Sequence, residues 1–394
     1  MNILILATKY PLPEESQWLT SELGEELLKI GCNVTVLCIE WGSVNTNNHY
    51  HRDGLSIYRK NVFGSGSGAL SLLFRWFFSS LKFAPFCLHA VAARKKYDLV
   101  LSFSPCLAMW FPILCAKFFS CYRHIIYWDF FPIHNAQISN KVPRFGLPVL
   151  KLFERFLLNS VDRVSCMSPA NLKYFDGYFG RSSKERDIIP IWTSYLDYSH
   201  AGKKSVKKSD SFVTLVFGGQ LVHGRGVNTL LEAVRDATLK NNKIRLIVCG
   251  SGCLAKDVLD FSQRYPNHFH YLGQISRDDY LSVLSSADIG VVATLEGVSC
   301  PTYPSKSLDY MACSLPIIAS VEASSDFGSI IEENGLGISC LAGDVKSLAD
   351  NILKLAGDYD LRCKLGRRAN TFLKEKHSVS KIAQQILEKV NVQK

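Results

Sequence analysis

The chain has 394 residues, 47% of them hydrophobic, with 45 Lys and Arg against 35 Asp and Glu and a formal net charge of +10. That length and apolar content exclude a disordered chain or a single small module and allow two domains of about 200 residues, each with its own core. Thirteen cysteines are scattered without a C-x-x-C pair or a Cys/His cluster at zinc spacing, which excludes a disulfide or zinc framework and points to reduced thiols in the cytosol.

The opening M-N-I-L-I-L-A-T-K-Y lacks the basic lead of a signal peptide and reads as a first buried strand over 3–7. A loop over 8–16, a helix over 17–30 ended by Gly31, and a strand over 34–39 complete a β-α-β start. From 51 to 97 eight Lys and Arg meet one acid, Asp53, and are interleaved with Phe74, Trp76, Phe77, Phe78, Phe83 and Phe86. The stretch 70–96 therefore predicts contact with an anionic membrane surface, and Arg75 and Lys82 interrupt the apolar run too soon for a span. No nucleic-acid recognition module accompanies the charge, so nucleic acid is not an expected partner. Residues 103–119 carry two prolines and read as a buried helix after a strand over 98–103. Further strands are expected over 124–128 and 161–167, the latter leading into a helix with Pro169 in its first turn.

The polar, lysine-rich run A-G-K-K-S-V-K-K-S-D marks a boundary between two α/β halves. The expected division is a first Rossmann-like domain over 1–192, a linker over 193–211, a second such domain over 212–378, and a last helix over 379–394 that returns to the first. In the second half a strand over 212–217 runs into G-G-Q-L-V-H-G-R-G-V, where Gly218 and Gly219 permit close approach of a phosphate. Strands over 244–250, 268–273 and 287–294 follow. A loop then enters a helix at Ser305 and leaves through Pro316 into a strand over 317–320. Strand, loop, helix and strand form the unit of a parallel sheet, and its loop-to-helix corner is where such folds bind ligands. Ser305 is expected to cap the helix, leaving the amides of Ser305, Lys306 and Ser307 free for an anion, with Lys306 adding charge. One turn on, Asp309 offers a carboxylate to sugar hydroxyls. The corner reads as a cradle for a nucleotide diphosphate.

The run P-S-K-S-L-D-Y-M-A-C-S-L-P-I-I-A resembles the P-S-K-x-x-E-Y-M-A-x-G-x-P-I-I-A signature of a branch of the family 4 retaining glycosyltransferases. That resemblance implies the GT-B architecture, two Rossmann-like domains whose parallel sheets face a central cleft. It implies that Asp309, shortened from a glutamate, binds the donor ribose, and it reads the glycine before the proline as replaced by Leu315. The family's E-x7-E motif wants an acid at 301, which is Pro301, and Glu296 is the nearest acid upstream. The 218–234 segment is similar to the family's G-R-L-x-x-x-K-G-V-D-x-L-I-E-A, with Gln220 at the arginine and Arg225 at the lysine that grip the diphosphate. Gly250 matches a glycine at a strand end, and Gln274 and Ile275 stand where relatives contact the nucleobase. The Gly-Gly pair usual in the first loop is missing from Y-P-L-P-E-E-S-Q-W. Asp129, in W-D-F-F-P, is the candidate for orienting acceptor or donor sugar, and His134 is a weaker one.

The function implied is transfer of a sugar, first an N-acetylated hexosamine, from a UDP-linked donor to a lipid-diphosphate-linked saccharide in lipopolysaccharide O-antigen or capsule assembly. The enzyme would work on the inner face of the bacterial cytoplasmic membrane. Arg225 and Lys306 would stabilise the leaving diphosphate. The only D-x-D, Asp358-Tyr359-Asp360, lies far from the corner in sequence, so neither metal nor cofactor is expected. Two other readings remain: a GT-B sugar-nucleotide epimerase, and a silent GT-B subunit that recruits a partner to the membrane.

Overall fold

The computed structural model describes residues 1–12, 15, 17–40, 49–62, 69–104, 106–131, 133–138, 146–180, 184–195, 197–198 and 212–391. Two units divide the chain. One comprises Met1–Ile191 with Val379–Lys394, the other Trp192–Ser378.

The first unit holds β1 (Asn2–Ala7), α1 (Leu19–Lys29), β2 (Asn33–Glu40), β3 (His49–Arg52), β4 (Leu55–Asn61), α2 (Ala69–Ser80), α3 (Ala84–Ala92), β5 (Tyr97–Phe103), α4 (Trp110–Cys115), β6 (Ser120–Tyr127), α5 (Ile133–Ile138), α6 (Leu147–Leu158), β7 (Arg163–Cys166), α7 (Pro169–Phe179) and β8 (Glu185–Ile188). Its sheet runs β3-β4-β2-β1-β5-β6-β7-β8, parallel throughout except for the β3–β4 pair. The central β1 is apolar from Ile3 to Ala7 and fully buried there, as a strand covered on both faces requires. Ser168 caps α7 by accepting the Asn171 amide, with Pro169 next in the first turn.

The second unit holds β9 (Val213–Gly218), α8 (Val227–Lys240), β10 (Ile244–Cys249), α9 (Ala255–Arg264), β11 (Phe269–Tyr271), α10 (Arg277–Ser286), β12 (Ile289–Ala293), α11 (Lys306–Ala312), β13 (Ile317–Val321), α12 (Phe327–Glu333), β14 (Gly337–Leu341), α13 (Val345–Gly357) and α14 (Tyr359–Lys376). Its all-parallel sheet runs β11-β10-β9-β12-β13-β14. The order reverses between β9 and β12, so the loops leaving those two strands open a crevice at the switch point, where doubly wound folds take their ligands. Apolar residues of α8 and α13 (Leu230, Val234, Leu348, Ile352) close the core over β9, β10 and β12. The last helix, α15 (Val379–Asn391), belongs to the first unit. It packs on α1, and Gln385 Nε2 donates to the Ile188 carbonyl at 3.0 Å.

Several expectations change in detail. The basic stretch that was read as helix and surface begins with β3 and β4, whose alternation Leu55, Ile57 places two apolar side chains in the core. The helix expected over 103–119 shrinks to α4, flanked by single tight turns, because Pro112 removes an amide and 116–118 tightens. Residues 185–188 form an eighth strand, an element absent from the expected ones. Of the expected linker, residues 193–195, 197 and 198 join the second unit. Thr193 donates its amide to the His377 carbonyl at 2.9 Å, and Tyr198 donates to Ala312 at 2.8 Å. Positions 196 and 199–211 lie outside the described residues. Past α11 the backbone turns left-handed at Ser314, φ +57°, one residue before Leu315. Ser314, not Leu315, therefore occupies the position where a glycine would be at ease.

Candidate active site at the switch point of the second unit

The glycine loop after β9 shapes the crevice. Gly219 donates its amide to Cys249 at 2.9 Å, and Gly250 donates to Gly273 at 2.7 Å, which draws the strand ends together. Gly250 has φ +142°, and a Cβ there would lie 1.8 Å from the Gly219 carbonyl oxygen, so only glycine fits. Gly218 donates to the Tyr310 hydroxyl at 3.3 Å, and that hydroxyl donates to the Val291 carbonyl at 3.1 Å. Tyr310 thus pins α11 to the ends of β9 and β12.

Lys306 is the unusual member. The residue as a whole is partly exposed, yet its Nζ is buried and has no hydrogen-bond partner among the described residues. The ammonium sits 3.5 Å from the centroid of Phe217, and a side chain at Gly219 would come within 3.6 Å of it. Burial first, and the positive field of Arg225 second, push its pKa well below the ordinary lysine value. Arg225 closes a short turn, 223–225, just before α8, and carries no ion pair among the described residues. Two cations thus face one crevice without an anion between them. A buried unpaired ammonium costs free energy in an empty site, and an anionic ligand relieves that cost.

Asp309, one turn along α11, is held by Arg277 at the start of α10. Arg277 Nη1 donates to Asp309 Oδ2 at 2.7 Å, and Nη2 donates to Oδ1. Ser276 caps α10 through the Asp279 amide, which fixes Arg277 in the first turn. The Arg277 guanidinium also lies 5.8 Å from the ring of Tyr195. Gln274 is exposed and accepts from Ser251 Oγ at 3.2 Å, beside Ile275 and the Gly250 loop.

The Ser305 corner differs from expectation. Ser305 is helical itself, φ −61° and ψ −27°, and its side chain makes no cap. The Ser307 amide is taken by the Pro304 carbonyl at 3.1 Å, as is its hydroxyl at 2.7 Å. Of the three amides expected to be free, that of Ser307 is therefore closed to a ligand, and Lys306 adds side-chain charge at the same corner. Glu296 is exposed, and its carboxylate lies against Gly343 past β14. Sequence reasoning missed Glu322. This buried carboxylate at the end of β13 accepts from the Thr302 amide at 2.8 Å and from the hydroxyls of Thr302 and Thr294, strapping the 294–304 loop. Its position straight after the apolar run I-I-A-S-V was the available signal. Arg277 gave no such signal, since its partner lies 32 residues on.

Asp129 and His134 stand in the first unit. Asp129 is exposed just past β6, and the Ser104 hydroxyl accepts the amides of Trp128 and Asp129 at 2.9 and 3.0 Å. His134 lies in α5. Asp358 caps α14 through the Leu361 amide at 2.8 Å, with Asp360 in that helix's first turn.

Residues 213–358, the segment that builds this crevice, match the sequence model of the family described as Glycosyl transferases group 1. The chain is a glycosyltransferase. It is 27% identical over 306 residues to "Probable glycosyltransferase WbjE" of Pseudomonas aeruginosa, covering 72% of this chain and 70% of that protein. Its fold is shared with sucrose-phosphate synthase of Thermosynechococcus elongatus, TM-score 0.77 at 18% identity over 98% of both chains. Anabaena HepE, solved in complex with UDP, superposes with TM-score 0.70 at 16% identity over the full length of both. The glycosyltransferase therefore has the α/β, GT-B type of fold, with a parallel sheet in each unit.

Proposed function

We propose that this glycosyltransferase moves a sugar, first an N-acetylated hexosamine, from a UDP-linked donor to a lipid-diphosphate-linked saccharide, with retention at the anomeric carbon. Its place would be bacterial surface-polysaccharide assembly at the inner face of the cytoplasmic membrane. The observation that carries the donor half is the buried Lys306 ammonium, unpartnered beside the Gly219 loop, with Arg225 as a second cation. A diphosphate supplies the missing negative charge in a site shaped for close backbone approach. The UDP bound to HepE supports uridine as the base.

In this reading the bond from the anomeric carbon to the diphosphate oxygen breaks, and negative charge grows on the leaving group. Lys306 and Arg225 stabilise that charge as it forms. The acceptor hydroxyl adds on the face the diphosphate leaves, and its proton passes to the departing phosphate oxygen. Asp309, held by Arg277, accepts hydrogen bonds from the ribose. Asp129 orients a sugar hydroxyl.

The test is release of nucleotide diphosphate by the purified chain from UDP-, GDP-, ADP- and dTDP-sugars, with Lys306→Ala and Arg225→Ala alongside and EDTA throughout. The reading expects turnover of a UDP-sugar in EDTA. Each substitution should remove a charge-assisted contact and cost about 1.5–3 kcal/mol in kcat/KM. Equal turnover by both variants removes the donor site. Activity that vanishes in EDTA and returns with manganese removes the metal-free reading, and a chain that turns over no donor is a silent subunit.

A further inference from the structure

Among the described residues, the helices of the first unit leave an apolar face uncovered. On α2, Phe74, Phe77 and Phe78 are 58%, 42% and 39% exposed, and on α6, Val149, Leu152 and Phe156 are 69%, 70% and 55% exposed. The rings touch across the two helices. Phe74 to Phe78 is 4.3 Å between centroids, Phe78 to Phe77 5.4 Å, Phe77 to Phe153 6.0 Å and Phe153 to Phe156 6.5 Å. Trp110 of α4 lies against both, 4.7 Å from Phe77 and 5.9 Å from Phe153, and its indole donates to the Phe77 carbonyl at 2.8 Å. Positions 149, 152 and 156 share one face of α6, while Glu154, Leu157 and Leu158 on the opposite face are buried. This is a continuous exposed aromatic stripe, larger than scattered surface residues explain.

The exposed charge in this part of the chain is mostly of one sign. Arg155 is exposed on α6, Arg94, Lys95 and Lys96 are exposed after α3, and Lys117 is exposed beside exposed Phe118. Over 69–158 the sequence has eleven Lys and Arg against three acids, of which Glu154 is buried and not at the surface. Not every cation expected to face outward does so. The Nε of Arg75 is buried, and Lys82 donates to the Asn61 carbonyl at 2.5 Å. The side chain of Trp76 lies outside the described residues. Among the described residues no helix is long and apolar enough to cross a membrane. Exposed phenylalanine and leucine in a segment this basic match the boundary of an anionic bilayer, where rings enter the acyl edge and cations meet headgroups.

We propose that α2 and α6 together form a docking face for a bilayer of anionic phospholipid, with α6 as an insertion element that the sequence pattern of 70–96 did not include. The proposal rests on the reading that the acceptor is lipid-linked, which places acceptor and enzyme at one surface. The test is flotation of the full chain at low salt with vesicles of phosphatidylcholine alone and of phosphatidylcholine with phosphatidylglycerol. The parent should float with the anionic vesicles. The exposed triple substitution Phe74→Ser, Phe78→Ser, Phe156→Ser should lose roughly tenfold of that binding while its melting temperature and UDP binding hold. Arg155→Ser, on the same helix, should weaken flotation at low salt and remove its salt sensitivity in part. A parent that does not float, a triple variant that floats equally, or a solution dimer split by the triple variant overturns the docking face. Flotation as expected from a chain that binds no UDP keeps the docking face and removes the donor reading instead.

Discussion

Lys306 ties stability and function to one atom. Its folded pKa is depressed by burial, so the native state resists the proton that the unfolded chain holds up to the ordinary lysine range. The empty protein is thereby destabilised below that range and recovers as pH rises between the depressed value and 10.5, the ordinary lysine value. Lys306→Met keeps the aliphatic stem over Phe217 and removes the charge. It should raise the melting temperature of the free protein at neutral pH while weakening nucleotide binding, a pairing that thermal melts with and without UDP resolve. Ser314 is the second residue with a stated cost. At φ +57° a non-glycine residue carries about 1–2 kcal/mol of strain, so Ser314→Gly should stabilise by roughly 1 kcal/mol in chemical denaturation. The signature's glycine, two places before its proline, aligns with Ser314, and the expectation at Leu315 was one residue late. The lysine's charge was legible in P-S-K. Its burial was not, because it depends on Phe217, 89 positions earlier, lying beneath the ammonium.

The elements read most clearly where periodicity and chemistry agreed. β1, β9, β10, β12 and β13 are dominated by apolar residues, and each structural strand lies within one or two residues of the expected one. Ser168 and Pro169 announced α7 for the reason they cap it. The failures are short elements fixed by partners. β8 has the mixed sequence E-R-D-I and exists because Arg163 of β7 pairs with Asp187 at 2.7 Å and with Glu185. Helix α6 was not assigned, and it turns out to present one face outward and bury an acid on the other. Glu154 lies 2% exposed, with no hydrogen-bond partner for Oε1 among the described residues, and burial pushes its pKa up to about 8. The native carboxyl keeps its proton where the unfolded chain has lost it, so stability falls as pH rises from the ordinary glutamate value of 4.5 to about 8. Glu154→Leu should therefore raise the melting temperature more at about pH 8 than at about pH 5. An equal gain at both values would mean the carboxyl is solvated.

At the scale of the whole molecule, the chain builds one α/β unit, crosses to a second near Trp192, and returns after Ser378 to finish the first with α15. The β-α alternation made two Rossmann-like halves legible, and the polar run over 201–210 marked the neighbourhood of the crossing. The docking stripe was only half legible, because α2 and α6 are separated by some seventy residues and meet through Trp110. The central claim is that the second unit holds a nucleotide diphosphate between Lys306 and Arg225. Its most direct test is calorimetric titration of UDP at about pH 9, in two buffers of different ionisation enthalpy, into the parent and Lys306→Met. An anion beside Lys306 favours the charged ammonium, so the account predicts binding with net proton uptake by the parent. It predicts weaker binding without that uptake by the variant. UDP that binds both proteins alike, with no proton taken up by either, would contradict it.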